Sequence, residues 1–372
     1  MTDRPAIIVV AYSARALASC AGHAGFDPLS IDVFGDDDMR AMSLTSVKLE
    51  GGLADGLTPD KVMSAVEALI SAHDPIGLVY GAGFEHQPET VAAITRKVRV
   101  FGNEAETLQR AKDPLMLARV CAAHSIGHPQ VQLSAPDEPE LWLMKKRGGA
   151  GGDHIAAADT SSRLRPDAYF QRRLAGRSIS ALFLASEKQA EIIGLSMQWA
   201  APTQASPFRY GGAAGPIEIE PSHAREIARA IALIASEFDL IGLNSVDFLV
   251  SDDEVWLLEI NPRPGATLDV FESNEAPLFA RHIAACEGSL TPASRSMTFK
   301  AAEIVYAPHD IVVRRQGNWP DWAVDRSAPG TLIAAGDPLC TTLGVGATVD
   351  LAHACASERA RSIVALVQEE EH

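Results

Sequence analysis

The chain is short of cysteine. Cys20, Cys121, Cys286, Cys340 and Cys355 are scattered through 372 residues, odd in number and never spaced C-x-x-C. That excludes a disulfide framework and a zinc knuckle, and it fits a reducing cytoplasm. Basic charge is also scarce: 32 Lys and Arg stand against 48 Asp and Glu, a net charge of −16. No dense Lys/Arg run offers the basic face that a duplex binder needs to displace counterions, so nucleic acid is not an expected partner. No apolar run approaches the ~18 residues that span a bilayer. The 6–11 stretch is too short for the apolar part of a signal peptide, and a membrane is not expected either.

Two nucleotide signatures are missing. The first strand–helix turn, VVAYSARALA (9–18), lacks G-x-G-x-x-G, which disfavours a nicotinamide dehydrogenase. The glycine run 148–152 has its lysines, Lys145 and Lys146, before it, which is the wrong side for a P-loop. No Ser-His-Asp set assembles from local signatures, and no cysteine has a nucleophile's context.

What is present is an ordinary globular composition, 47% hydrophobic and 22% charged, which excludes wholesale disorder. At about 150 residues per domain, the length suggests two or three domains. Apolar runs at 7–10, 28–33 and 76–80 read as buried strands. Residues 15–22 and 59–73 read as helices, so the first third implies a parallel sheet. A helix is expected near 114–123, strand–loop–strand over 141–155 and strand over 169–186. A helix is expected over 221–238. The stretch 200–216, rich in small residues, Pro and Gly, reads as a long loop. Beyond 295 the pattern is short strands and turns, then a short helix with Ile363, Leu366 and Val367 on one face.

The chemistry concentrates in NSVDFLVSDDEVWLLEINPRPG (244–265). A five-residue turn would pair Val250 with Trp256, Asp247 with Glu259 and Ser245 with Asn261. Leu257, Glu259 and Asn261 would share one face; Val246, Phe248, Val250, Trp256, Leu258 and Ile260 would form the core face. Two facing carboxylates and an amide oxygen suit a hard divalent cation, although a solvated acidic face is the plainer alternative. Arg263 follows, able to meet phosphate or carboxylate in bidentate fashion. The glycine loop can bring backbone N–H groups to phosphate, or be a simple hairpin turn. Ser13 and Arg15 can bind an anion at a helix start or merely cap it. Residues 81–85 follow a strand C-terminus, where α/β ligand sites lie. Asp36–Asp38 read as a solvated loop, and His128 and His154 as structural.

Taken in order, these segments resemble the ATP-grasp superfamily of carboxylate–amine and carboxylate–thiol ligases. The pieces are YGAGFE (80–85), AKDPLMLAR (111–119), Lys145 with 148–152, QRRLAGRS (171–178) and D…E-x-N-x-R at Asp247, Glu259, Asn261 and Arg263. The resemblance implies an α/β ATP-grasp fold. It would have a Rossmann-like pre-domain over 1–110, an ATP-grasp domain over 111–290 with a lid at about 125–170, and a β-rich cap over 291–372. It implies ATP and two Mg²⁺ as cofactors, and small carboxylate and amine substrates; it leaves a homodimer open.

By this resemblance Lys112, Lys145, Gly149, Gly151 and Gly152 would contact phosphates. Gln171, Arg173, Leu174 and Ser178 would meet adenosine. Asp247, Glu259 and Asn261 would hold metal, and Arg263 and Lys145 would be catalytic. Gln171 stands where relatives usually have Glu, Ser178 where they have a ribose carboxylate, and Lys112-Asp113 where many have Asp-Lys. Ser13, Arg15, Glu85, Arg209, Tyr210 and Arg263 would face the substrates. Arg263 and Arg209 would take the acid and Glu85 the amine. NPRPGATLDVFE (261–272), GRSISALFLAS (176–186) and GDPLCTTLGVGATV (336–349) look most like a methylotroph branch tied to tetrahydromethanopterin- or methanofuran-type one-carbon carriers. A bicarbonate-activating carboxylase type and a nucleotide-binding subunit without ligase activity are the alternatives.

Overall fold

The computed structural model describes residues 4–51, 56–159, 166–290, 298–314 and 319–369. Residues 160–165 of the expected lid, and the side chain of Val367, lie outside them. Among the described residues no helix is long and apolar enough to cross a membrane.

The run AIIVV forms β1 (Ala6–Val10), with Ile7 to Val10 fully buried as the doubly covered strand of a parallel sheet must be. β2 (Asp27–Asp32), β3 (Thr45–Lys48) and β4 (Leu78–Tyr80) complete a sheet ordered β3-β2-β1-β4, all parallel. β3, TSVK, escapes a hydrophobic-pattern reading because it has one apolar side chain. Between the strands run α1 (Arg15–His23), α2 (Asp37–Met42) and α3 (Pro59–His73). α3 begins with Pro59, buries Val62, Val66 and Leu69, and stops at Asp74, whose φ is 47°. α4 (Pro88–Thr95), α5 (Ala105–Ala111) and α6 (Pro114–Ala123) lead onward. Asp113 separates the last two by capping α6: its Oδ1 accepts the N–H groups of Leu115 and Met116.

Next comes a small antiparallel sheet of β5 (Val131–Gln132), β6 (Trp142–Lys146), β7 (Ile155–Ala157) and β8 (Ala168–Arg172), ordered β5-β8-β6-β7. β6 and β7 flank the glycine loop, with Lys145 paired to Ile155.

The remaining strands build one large sheet. β9 (Arg177–Ser186), β10 (Gln189–Ala200), β11 (Tyr210–Gly215), β12 (Gly242–Val250), β13 (Val255–Asn261) and β14 (Phe299–Tyr306) lie in it. β15 (Ile311–Val312) pairs apart with β17 (Leu332–Ile333), while β16 (Ala323–Val324) and β18 (Pro338–Gly346) complete the order β13-β12-β9-β10-β11-β14-β18-β16. The C-terminal strands therefore extend the sheet that carries the acidic hairpin rather than forming a layer of their own. α7 (Pro221–Glu237) lays Ile227, Ile231 and Ile234 against Phe183, Phe248 and Ile260 on one face. α8 (Leu268–Phe271) and α9 (Leu278–Cys286) pack with α1 on the other. The last helix, α10 (Val349–Glu369), is long rather than short, and its Ala352 and Ala356 sit on Ala214 and Ala301.

Two further expectations need correcting. The stretch 200–216 is not all loop, since β11 is an interior strand between β10 and β14. Its sequence, YGGAAG, looks weak because a Cβ at Gly212 would strike the Ala302 carbonyl and the Trp199 indole. The hairpin turn is also tighter than expected, with Val250 paired to Val255 and Leu249 to Trp256. A bulge opposite Asp247 and Phe248 then restores the expected pairs Asp247–Glu259 and Ser245–Asn261. Its consequence is that Leu257, not Leu258, enters the core.

Candidate active site

β12 and β13 set Asp247 directly across from Glu259. Asn261 Nδ2 donates to Asp247 Oδ2 at 3.0 Å, and Lys112 Nζ donates to Asn261 Oδ1 at 2.8 Å and lies 3.8 Å from Glu259. Burial, then the facing Glu259, pushes Asp247 up to about 6. Burial would raise Glu259 as well, but Lys112, then Lys145, His154 and Arg263, outweigh it and hold Glu259 at about 2. Asp247 Oδ1 is buried with no hydrogen-bond partner. A lone acceptor between two carboxylates and an amide oxygen fits a hard divalent cation. Among the described residues no three His, Cys, Asp or Glu side chains form a complete metal cluster.

Beside this set a pocket opens between the small sheet and β13, lined among others by Lys112, Leu117, His128, Tyr169, Gln171 and Leu258. Lys146, Arg147, Gly148 and Gly149 wall one side. Lys145 is 4% exposed, donating to Gln171 Oε1 at 3.2 Å. Burial would pull its ammonium down; Tyr169, then Glu259 and Asp247, keep it raised and charged. Its reach to this pocket is therefore through Gln171 and Tyr169.

The glycine loop lies down on its neighbours. Gly148 has φ 66°, and a Cβ there would come 2.6 Å from the Glu85 carbonyl oxygen. Gly152, at φ 85°, is pressed against the Phe208 carbonyl, Gly149 lies on the His154 ring, and Gly151 faces open space. The Tyr210 N–H donates to the Gly151 carbonyl at 2.8 Å.

The expected hinge and substrate residues are placed as follows. The Arg173 N–H is already given to Leu141 O, so it is not free for a base, and Leu174 follows it, half-buried, beyond β8. Ser178 donates to Gln198 at 3.4 Å. Arg263 Nε donates to Glu85 Oε1 at 2.7 Å, so these two partner each other first. Burial would raise the Glu85 carboxyl; Arg263, then Lys112 and the Gly83 N–H, hold it lowered instead. Arg209 turns away from the site: it donates to the Ala201 and Gly336 carbonyls and lies 3.5 Å over the Tyr306 ring. Tyr210 points in, its hydroxyl buried without a partner and raised by burial and then by Asp247.

Arg15, buried on α1, is fully engaged by Asp269 at 2.7 Å and Asp325 at 2.9 Å, and Ser13 also donates to Asp325. This pair is therefore spent on structure rather than left open to an anion. Asp36 and Asp38 are buried, not solvated; Asp38 accepts the N–H groups of Asp325 and Arg326. Sequence reasoning missed Tyr169, His128 and Leu258 as lining residues. Tyr169 had a signal, two residues before Gln171 on one face of a strand.

The model of the ATP-grasp domain family matches residues 111–267. No curated protein sequence matches. Among solved structures, the biotin carboxylase domain of Hydrogenobacter thermophilus 2-oxoglutarate carboxylase, in complex with MgADP and bicarbonate, is similar at TM-score 0.71 and 12% identity, covering 93% of this chain and 87% of that one. N5-carboxyaminoimidazole ribonucleotide synthetase from Thermotoga maritima gives TM-score 0.66 and 12% identity over 96% and 98% of the two chains. L-amino acid ligase from Bacillus licheniformis gives 0.68 and 13% over 96% and 97%. At such identities the likeness is one of fold. Members of the ATP-grasp family are ATP-dependent carboxylate–amine ligases, and neighbours of this fold are solved with ADP and MgADP. The chain has the ATP-grasp fold over nearly its whole length, and its residues 111–267 match the ATP-grasp domain family.

Proposed function

We propose that the chain is an ATP-dependent ligase that activates a carboxylate as an acyl phosphate and joins it to an amine. The observation that carries this reading is Asp247 facing Glu259, with Asn261 and Lys112 bonded into the pair, beside a pocket walled on one side by Gly148 and Gly149 of the glycine loop. A carboxylate oxygen of the acid attacks the γ-phosphorus of ATP and ADP leaves. The amine nitrogen then attacks the acyl carbon, phosphate leaves and the nitrogen sheds a proton. Mg²⁺, when bound, supplies neutralisation of the charge on the phosphoryl oxygens. Asp247, Glu259 and Asn261 would hold it, and Lys112 adds a point charge beside them. Arg263, aimed by Glu85, would meet the oxygens of the activated acid. The docked glycine loop excludes the water that would hydrolyse an acyl phosphate.

The sequence resemblance supports a finer reading, in which the product is a precursor of a tetrahydromethanopterin- or methanofuran-type carrier made in the cytoplasm. An ADP-release screen over amino acids and pterin or furan precursors, with product mass, tests both. Release that requires an acid and an amine and yields their amide supports the reading; release that depends stoichiometrically on bicarbonate favours a carboxylase type instead.

A further inference from the structure

Among the described residues two side-chain polar atoms of the pocket's lining are buried without a partner, Arg147 Nε and His128 Nε2, and only the second is an acceptor. His128 stands just before β5 and lines the pocket with Leu117, Tyr169 and Leu258. Its Nδ1 lies 2.7 Å from the Leu257 carbonyl oxygen. A carbonyl oxygen only accepts, so Nδ1 carries the proton, and in a neutral ring Nε2 is then a bare lone pair. That Nε2 is buried and has no hydrogen-bond partner. Burial, with Lys145 acting in the same sense, pulls the ring down to about 4, so it is neutral near pH 7. Gln171 is less available: its oxygen accepts from Lys145 at 3.2 Å and its amide nitrogen lies 3.5 Å from Leu258 O.

We infer that His128 reads the nucleobase, its Nε2 accepting a hydrogen bond from the exocyclic amino group of a 6-aminopurine. A 6-oxo purine in the same place would set acceptor against acceptor and leave both unpaired, the arrangement that discriminates most strongly in buried sites. The inference rests on the pocket being the ATP site. It makes His128 a specificity residue and not a catalytic one.

Calorimetric binding of ADP and of inosine diphosphate, each with Mg²⁺, to the full chain tests it, because the two ligands differ only around the 6-position. The wild type should prefer ADP by about tenfold, the worth of one such hydrogen bond. His128→Asn keeps an amide N–H where Nδ1 stands and deletes the Nε2 acceptor. It should lose the preference by weakening ADP alone, with its melting temperature near that of the wild type. Should that variant fail to fold, His128→Gln, whose amide can present oxygen or nitrogen, should bind both ligands alike. No preference in the wild type, or a preference that survives in the folded variant, overturns the inference. A wild type that binds neither nucleotide removes the ATP-site reading itself and the inference with it; failure of the His128 role alone leaves ADP binding intact.

Discussion

Arg263 Nε donates a 2.7 Å hydrogen bond to Glu85 Oε1, a buried ion pair between residues 178 apart in the chain. It ties the turn after β4 to the loop after β13, and it fixes where the Arg263 guanidinium points. Glu85→Gln would strand a buried charge, which typically costs on the order of 3 kcal/mol. We expect a lower denaturation midpoint together with a lower kcat for ADP release. Wild-type stability with only a raised KM for the amine would instead mean that Glu85 meets substrate directly.

Arg15 answers a similar question. Its two carboxylate partners, Asp269 and Asp325, come from α8 and from the loop after β16, so it joins three parts of the fold. Arg15→Ala should destabilise by about 3–5 kcal/mol, because it leaves two partly buried carboxylates unpaired. Urea denaturation checks this. A variant of unchanged stability whose substrate KM rises would restore the anion-binding role expected from sequence.

The Asp247–Glu259 pairing was legible because β12 alternates strictly, and the two departures from alternation on β13 cancel before the site. The turn was not, since it closes one residue tighter than alternation predicts, and a bulge makes up the difference before the site. β11 was hidden because crowding against Trp199 and Ala302 demands glycine and alanine, which carry no strand propensity. The pairs Arg263–Glu85 and Arg15–Asp325 join residues 178 and 310 apart, and no local pattern encodes such partners. His128 read as structural for a real reason: half of its ring is, through Leu257.

The glycine loop offers a graded test. At Gly152 both space and φ 85° forbid a side chain, whereas at Gly151 only φ 72° resists it. Gly151→Ala should cost roughly 1 kcal/mol of local strain, with modest loss of turnover. Gly152→Ala should cut kcat much more, because the loop cannot seat against Phe208. Hydrogen exchange over 147–154 should slow on adding an ATP analogue with Mg²⁺ in the wild type and not in Gly152→Ala. Equal exchange with and without nucleotide in the wild type contradicts a closing loop.

Asp32 gives a pH signature away from the site. It is fully buried, and burial raises its carboxyl to about 6 although the Gly35 and Ala14 N–H groups oppose this. An acid raised in the folded state binds its proton more tightly there than in the unfolded chain, so acidification stabilises through it. Its contribution should grow as pH falls from about 7 toward 4, by on the order of 2 kcal/mol. Asp32→Asn should be more stable than wild type at pH 8 and lose that part of the pH dependence. A wild-type and a variant profile that run parallel between pH 8 and pH 5 would contradict the assignment.

The central claim is that Asp247 and Glu259 face each other to hold a divalent cation that a nucleotide's phosphates complete. The most direct measurement is calorimetric ADP binding with and without Mg²⁺ in the wild type and in Glu259→Gln, which removes ligand charge at nearly constant volume. Losing even an outer-shell partner of a metal costs about tenfold or more in affinity, so losing a direct ligand should cost at least that. The account predicts that Mg²⁺ tightens ADP binding by the wild type, and that Glu259→Gln keeps its Mg²⁺-free affinity and its melting temperature but loses the tightening. A folded Glu259→Gln variant whose ADP binding still gains as much from Mg²⁺ as the wild type's would contradict it.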